Sequence, residues 1–91
     1  MQKTVNNMEM DEINKMLDEI NDDRTVPRNI RNLIQEAKDH LNGKQELPVR
    51  INSAISILDE VSNDSNIPIY TRTQIWNMVS MLEVMNEKAK T

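Results

Sequence analysis

Apolar residues recur along this chain at helical spacing in four separate stretches. Ile13, Met16, Leu17 and Ile20 stand at i, i+3, i+4 and i+7, the stripe of one buried helical face. The second stripe is Ile30, Leu33, Ile34, Ala37 and Leu41, and the third is Ile51, Ala54, Ile55, Leu58 and Val61. The fourth is Ile75, Met78, Val79, Leu82 and Met85. Asn21-Asp22-Asp23-Arg24-Thr25 and Ser62-Asn63-Asp64-Ser65-Asn66 interrupt the pattern with residues that favour turns and caps. Pro27, Pro48 and Pro68 each precede or open a stripe, where a missing N–H costs no intrahelical bond. Gly43, the only glycine, follows Leu41 and is predicted to end the second helix in the left-handed conformation. The pattern predicts helices over residues 8–22, 27–42, 48–62 and 68–87 of a single domain, 1–91.

The stripes are related by a repeat. Leu17-Asp18-Glu19-Ile20, Asp22-Asp23 and Val26-Pro27 return as Leu58-Asp59-Glu60-Val61, Asn63-Asp64 and Ile67-Pro68, an offset of 41 residues. The register holds from Leu17/Leu58 to Leu41/Leu82 and includes Arg31/Arg72 and Ile34/Ile75. Self-similarity at this period marks a repeated supersecondary unit, here a helix hairpin. Linkers of about five residues cannot cross the length of a bundle, so sequence neighbours must lie antiparallel. Two stacked hairpins in the manner of HEAT repeats are one arrangement. Two units are fewer than a solenoid needs to bury its faces, so the expectation is an all-α, antiparallel up-and-down four-helix bundle built from two repeated hairpins.

Composition narrows the core and the chemistry. Phe is absent, and Trp76 and Tyr70 are the only aromatics, so the core must be aliphatic with Met as gap filler. Met8 and Met10 sit near an N-terminus expected to fray. There is no cysteine, hence no disulfide and no thiolate metal site. The opening MQKTVNNMEMDE is polar where a signal peptide is apolar, and no apolar run approaches membrane-spanning length. The expected setting is cytoplasmic. The net charge of −4 disfavours broad binding to a phosphate backbone, which needs a basic face.

Three segments carry a resemblance: Val26-Pro27-Arg28-Asn29-Ile30-Arg31, Ala54-Ile55-Ser56-Ile57-Leu58-Asp59-Glu60, and Thr71-Arg72-Thr73-Gln74-Ile75-Trp76. Together they resemble a small archaeal family known as an uncharacterised protein family, from about Leu17 to Leu82, with the stretch through Met10 outside the match. The resemblance implies an all-helical, four-helix fold of the bromodomain-like bundle type and an archaeal cytoplasmic setting. It supplies no activity and no catalytic residues. The hairpin also looks like a HEAT unit, a weaker likeness that carries no function.

No motif for catalysis emerges. There is no G-x-G-x-x-G, P-loop or nucleophile elbow, and the single histidine, His40, falls near a helix C-terminus, where positive charge is welcome. Asp18, Glu19, Asp22 and Asp23, echoed by Asp59, Glu60 and Asp64, lack EF-hand spacing and fit turn and capping roles. No catalytic residue, cofactor, metal site or small-molecule substrate is expected.

Two clusters remain. Arg28, Arg31, Arg50 and Arg72 fall in or near the first turns of helices, where the dipole disfavours cations. Local pairing of Arg31 with Asp23 or its neighbours, and of Arg72 with Asp64, would compensate. Alternatively Arg24, Arg28, Arg31 and Arg72 gather around two helix starts as an anion site, which would make the chain a ribonucleoprotein accessory. Helix four is apolar on more than one side: Trp76, Met81 and Val84 lie away from its core stripe. Either the helix is widely buried or these residues form a partner surface. The leading expectation is a non-catalytic protein–protein interaction or adaptor module. Its partner would be another protein or, as a homodimer, a second copy of the chain, with nucleic acid as the alternative and no membrane contact.

Overall fold

The computed structural model describes residues 7–90, with side chains for residues 8–89. Four helices follow in order: α1 (Asn7–Asn21), α2 (Arg28–Leu41), α3 (Leu47–Ser62) and α4 (Ile69–Lys90). Among the described residues there is no strand. α2 and α4 each start one residue later than predicted, because Pro27 is the N-cap of α2 and Pro68 immediately precedes α4. α4 runs three residues past its predicted end, through Glu87-Lys88-Ala89-Lys90, all tolerated in a helix once the preceding turns are anchored.

Each helix packs on its sequence neighbours, and α1 also packs on α4, while among the described residues the backbones of the diagonal pairs α1/α3 and α2/α4 do not approach within 8 Å between Cα atoms. The helices therefore close into a ring around one core. Side-chain bonds fix their directions. Asn14 exchanges amide hydrogen bonds with Asn42, Asp18 pairs with Lys38 and Asn21 donates to Gln35, so α1 and α2 run oppositely. Asn86 donates to Asn52 at one end of α3/α4 while Arg72 reaches Ser62 at the other, so these also run antiparallel.

The core is the four predicted stripes joined together. Ile13, Leu17, Ile20, Ile30, Ile34, Ala37, Leu41, Ile51, Ala54, Leu58, Val61, Ile75, Met78, Leu82 and Met85 are all buried. Met16, Leu33, Ile55 and Val79, also predicted in the stripes, are only partly buried at its margin. Met10 packs there too and lies within α1, where the sequence alone suggests fraying. Two turn residues, Val26 and Ile67, are buried as well and close one end of the bundle.

Residues 21–31 and 62–72 carry the same succession of helix, turn and exposure, position for position. In the first turn the Thr25 amide and hydroxyl both donate to the Asp23 carboxylate, at 2.9 and 2.6 Å. In the second the Asn66 amide donates to the Asp64 carboxylate at 2.7 Å. These are Asx turns, the local bonds that make Asp a helix terminator.

Gly43 corrects the expectation placed on it: no glycine among the described residues has positive φ. α2 ends instead through Asn42 at φ −103°, ψ 15°, whose side-chain amide donates to the Lys38 carbonyl, while Arg50 donates to the Leu41 carbonyl. With the terminal carbonyls met by side chains, a left-handed residue is unnecessary. A Cβ at Gly43 would lie 3.4 Å from the Asp39 and His40 carbonyl oxygens. Gly43→Ala should therefore be tolerated and raise stability by about 0.4–1 kcal/mol through the unfolded chain, measured by urea denaturation.

Among the described residues Thr71 is the one buried polar residue, and its hydroxyl has no hydrogen-bond partner. It stands 41 residues after Ile30, which is equally buried. Thr71→Val keeps the shape and removes the unmet hydroxyl, so it should stabilise the fold by about 1 kcal/mol, seen as a higher melting temperature.

Candidate functional site

The arginines of the second and third corners turn towards backbone. Arg72, in the first turns of α4, donates through Nε to the Ser62 carbonyl at 3.1 Å and through Nη2 to the Asp64 carbonyl at 2.8 Å. Arg50 reaches the end of α2 in the same way, Nη1 to the Leu41 carbonyl at 3.2 Å. Each cation near a helix start is thus compensated by the negative, carbonyl-rich end of the preceding helix. This corrects the expected pairing of Arg72 with the Asp64 carboxylate: the carboxylate serves its own turn, and the guanidinium takes the carbonyl.

The first corner differs: among the described residues Arg31 donates to no carbonyl of the preceding helix, and its Nε is buried without a hydrogen-bond partner, as is the Nε of Arg50. Hydrogen bonds from the Thr25 hydroxyl and amide hold the Asp23 carboxyl below the usual carboxylate range, and Arg31 adds a weaker attraction. Arg31 and Arg28 share a shallow hollow of about 370 Å³ with Asn21, Asp22, Asn32 and Gln35. Arg24 and Arg72 do not line it. Of the four predicted arginines, two come together, beside an aspartate, and Arg72 is engaged elsewhere.

On α4, Trp76 is 56% exposed and Val84 52%, on the outer side of the helix, while Met81 is part-buried against the core. Two residues that sequence periodicity alone did not single out join Trp76: Ile69, 76% exposed, and Tyr70, 70% exposed. Ile69 and Trp76 are seven residues apart, close to two full turns, and so share one line along the helix. The stretch Ile69–Leu82 carries one charge, Arg72, and that charge is committed to backbone carbonyls. The scarcity of charge in a chain that is 29% charged was a signal available in the sequence.

The 41-residue offset supplies an internal comparison. Arg28, Asn29, Asn32, Gln35, Glu36 and Asp39 of α2 correspond to Ile69, Tyr70, Thr73, Trp76, Asn77 and Ser80 of α4. All twelve positions are exposed. The α2 face carries three charges and no large apolar group, whereas the α4 face carries no charge and three large apolar or aromatic groups. Both faces are exposed, so core packing does not account for the difference.

A trough of about 680 Å³ runs beside this face, along the seam of α1 and α4. Met8, Met16 and Tyr70 line it together with Asp11, Glu12, Lys15, Glu19, Thr73, Gln74 and Asn77. His40 is exposed on α2, away from both hollows. Among the described residues no three His, Cys, Asp or Glu side chains converge to hold a metal ion, and no helix is long and apolar enough to cross a membrane.

Comparison with known proteins places the chain. The sequence profile of an uncharacterised protein family, UPF0147, matches residues 1–85, which extends the likeness through the N-terminal stretch. The UPF0147 protein MJ1419 of Methanocaldococcus jannaschii is 58% identical over 69 residues, 75% of this chain and 74% of that protein. The UPF0147 protein of Methanothermobacter thermautotrophicus is 43% identical over 84 residues, 91% of this chain and 82% of its own length. Two crystal structures share the fold. One is a protein of unknown function, MMP1188, with TM-score 0.80 and 50% identity over 91% of this chain and 96% of that one. The other is a UPF0147 protein from Thermoplasma acidophilum, with TM-score 0.82 and 35% identity over 87% of this chain and 94% of its own. With sequence and helical fold in agreement, the chain belongs to the uncharacterised protein family UPF0147.

Proposed function

We propose that the chain is a non-catalytic interaction module that docks another protein through the outer face of α4. One observation carries this reading: at six exposed positions, α4 presents Ile69, Tyr70 and Trp76 without charge where α2 presents Arg28, Glu36 and Asp39. Loss of charge with gain of aromatic and aliphatic area is the composition of an interface core. Trp and Tyr supply large contact area for little rotamer entropy and are over-represented among residues that dominate binding.

The test is affinity capture from an archaeal host lysate followed by titration of the captured protein. Trp76→Asp should weaken that binding by about thirtyfold or more, the effect of losing one dominant contact. Gln35→Asp, the same change at the corresponding position of α2, should leave it intact. Equal effects of the two variants would overturn the proposal. Capture of the chain alone, with a doubled mass by sedimentation that Trp76→Asp abolishes, would make the partner a second copy.

A ribonucleoprotein accessory role is the second reading. The partnerless Nε of Arg31 beside Arg28 favours it. Against it, Asp22 shares the hollow, and Arg72 donates elsewhere. Nuclease-sensitive capture that Arg28→Ala with Arg31→Ala removes would favour this reading over the first.

A further inference from the structure

We infer that the α1/α4 trough seats an amphipathic helix of the partner, apolar on one face and basic on its flanks. The inference rests on reading the chain as an interaction module and specifies what that module accepts. The trough adjoins a finished core: Ile13 and Leu17 of α1 and Ile75 and Met78 of α4, the two helices that form it, are fully buried. It is therefore a groove on the surface between α1 and α4 and not a defect in the core. From Met8 to Glu19 it follows three turns of α1, about 16 Å at 1.5 Å per residue. That length matches one face of a docked helix, whose side chains at i, i+3, i+4 and i+7 would meet Met8, Met16 and Tyr70. Methionines adapt their shape to the side chains they receive, which suits such a groove.

Charge selects the occupant. Asp11, Glu12 and Glu19 line the trough against one cation, Lys15. None of the three carboxylates enters either of the two ion pairs of the described residues, Lys38–Asp18 and Lys88–Glu9. The adjoining α4 wall, Thr73, Gln74 and Asn77, is uncharged. A cationic flank would meet the carboxylates while its apolar face covered Met16 and Tyr70. A second copy of this chain, with net charge −4 and acidic residues along α1, is the wrong complement.

The experiment uses the full chain, isotope-labelled, and two synthetic helices of about 18 residues, five turns. Both carry the same leucine face; one has lysine and the other glutamate at its polar positions. The lysine helix should shift amides of α1 and the first half of α4, and bind at least about tenfold tighter than the glutamate helix, with the preference shrinking as salt is raised. Glu12→Lys combined with Glu19→Lys, both at exposed positions, should reverse the preference while the rest of the spectrum keeps its folded dispersion. Equal binding of both helices, no binding, or shifts confined to α2 and α3 would overturn the inference. If Trp76→Asp still abolishes capture of the native partner while the lysine helix leaves the spectrum unchanged, the trough assignment falls and the α4 docking face stands.

Discussion

Replacing Leu58 with alanine is expected to remove about 3–4 kcal/mol of stability, a large share of what a domain of this size has. Leu58 is fully buried in α3. α3 lies between α2 and α4, the two most extensive helix contacts in the structure, so the surrounding walls have little freedom to collapse into the space left behind. The cost of such a truncation is lost burial plus the residual cavity. Leu17, its counterpart at the 41-residue offset, is equally buried, but α1 makes sparser contacts with both its neighbours. Leu17→Ala should therefore cost less, near 2–3 kcal/mol, because α1 can shift inwards. Urea denaturation of both variants, with unchanged dependence on denaturant, measures the difference. A larger loss for Leu17→Ala would show that the α1 side is the more rigid.

The second large effect concerns Arg72. Arg72→Ala removes two hydrogen bonds from a cation to the Ser62 and Asp64 carbonyls, taking away the donor of the last carbonyl of α3. A net loss of about 2–3 kcal/mol is expected, since bonds to charged groups contribute more than neutral ones and orphaned groups cost their desolvation. Arg31, 41 residues earlier, has a partnerless Nε and enters neither ion pair. Arg31→Ala should cost less than about 1 kcal/mol. Identical residues at the 41-residue offset with unequal energies would separate what the two corners share from what each does alone. Equal losses in thermal denaturation would mean that both guanidiniums hold their corners alike.

Legibility in the sequence followed the physics of periodicity. The four stripes were readable because helical spacing puts Ile13, Leu17 and Ile20, or Ile75, Met78 and Leu82, on one side, and that side is what the bundle buries. Val26 and Ile67 lie in turns, where no period marks a buried side chain, and Thr71 is buried by position rather than by apolarity. Gly43 illustrates a choice between equivalent solutions: carbonyls at a helix end can be met by a left-handed residue or by side chains such as Asn42 and Arg50, and the residue order does not decide between them. The arginines were conspicuous, yet their partners were not, because a carboxylate and a carbonyl stand in the same turn within reach of Arg72. Trp76 was ambiguous for a related reason. A bundle helix touches two neighbours, so an angle of one side chain from the core stripe fits either a second contact or solvent, and only the packed arrangement separates Trp76 from Met81.

The sparse α1/α4 seam also bears on how the molecule opens. The closure of the ring depends on its least extensive interface, which one ion pair, Lys88–Glu9, spans and along whose outer side a channel runs. Local opening events follow the weakest packing, so α1 should detach as a unit before α2, α3 and α4 separate. Amide hydrogen exchange reads this directly: the α1 amides should exchange through a partial opening of lower free energy, while those around Leu58 exchange only with global unfolding. A helix that leaves easily is also one that a partner lying across the seam could pin. Saturating such a partner would bring α1 up to the protection of the other three helices, and the slowing of its exchange would report occupancy without a label on either protein.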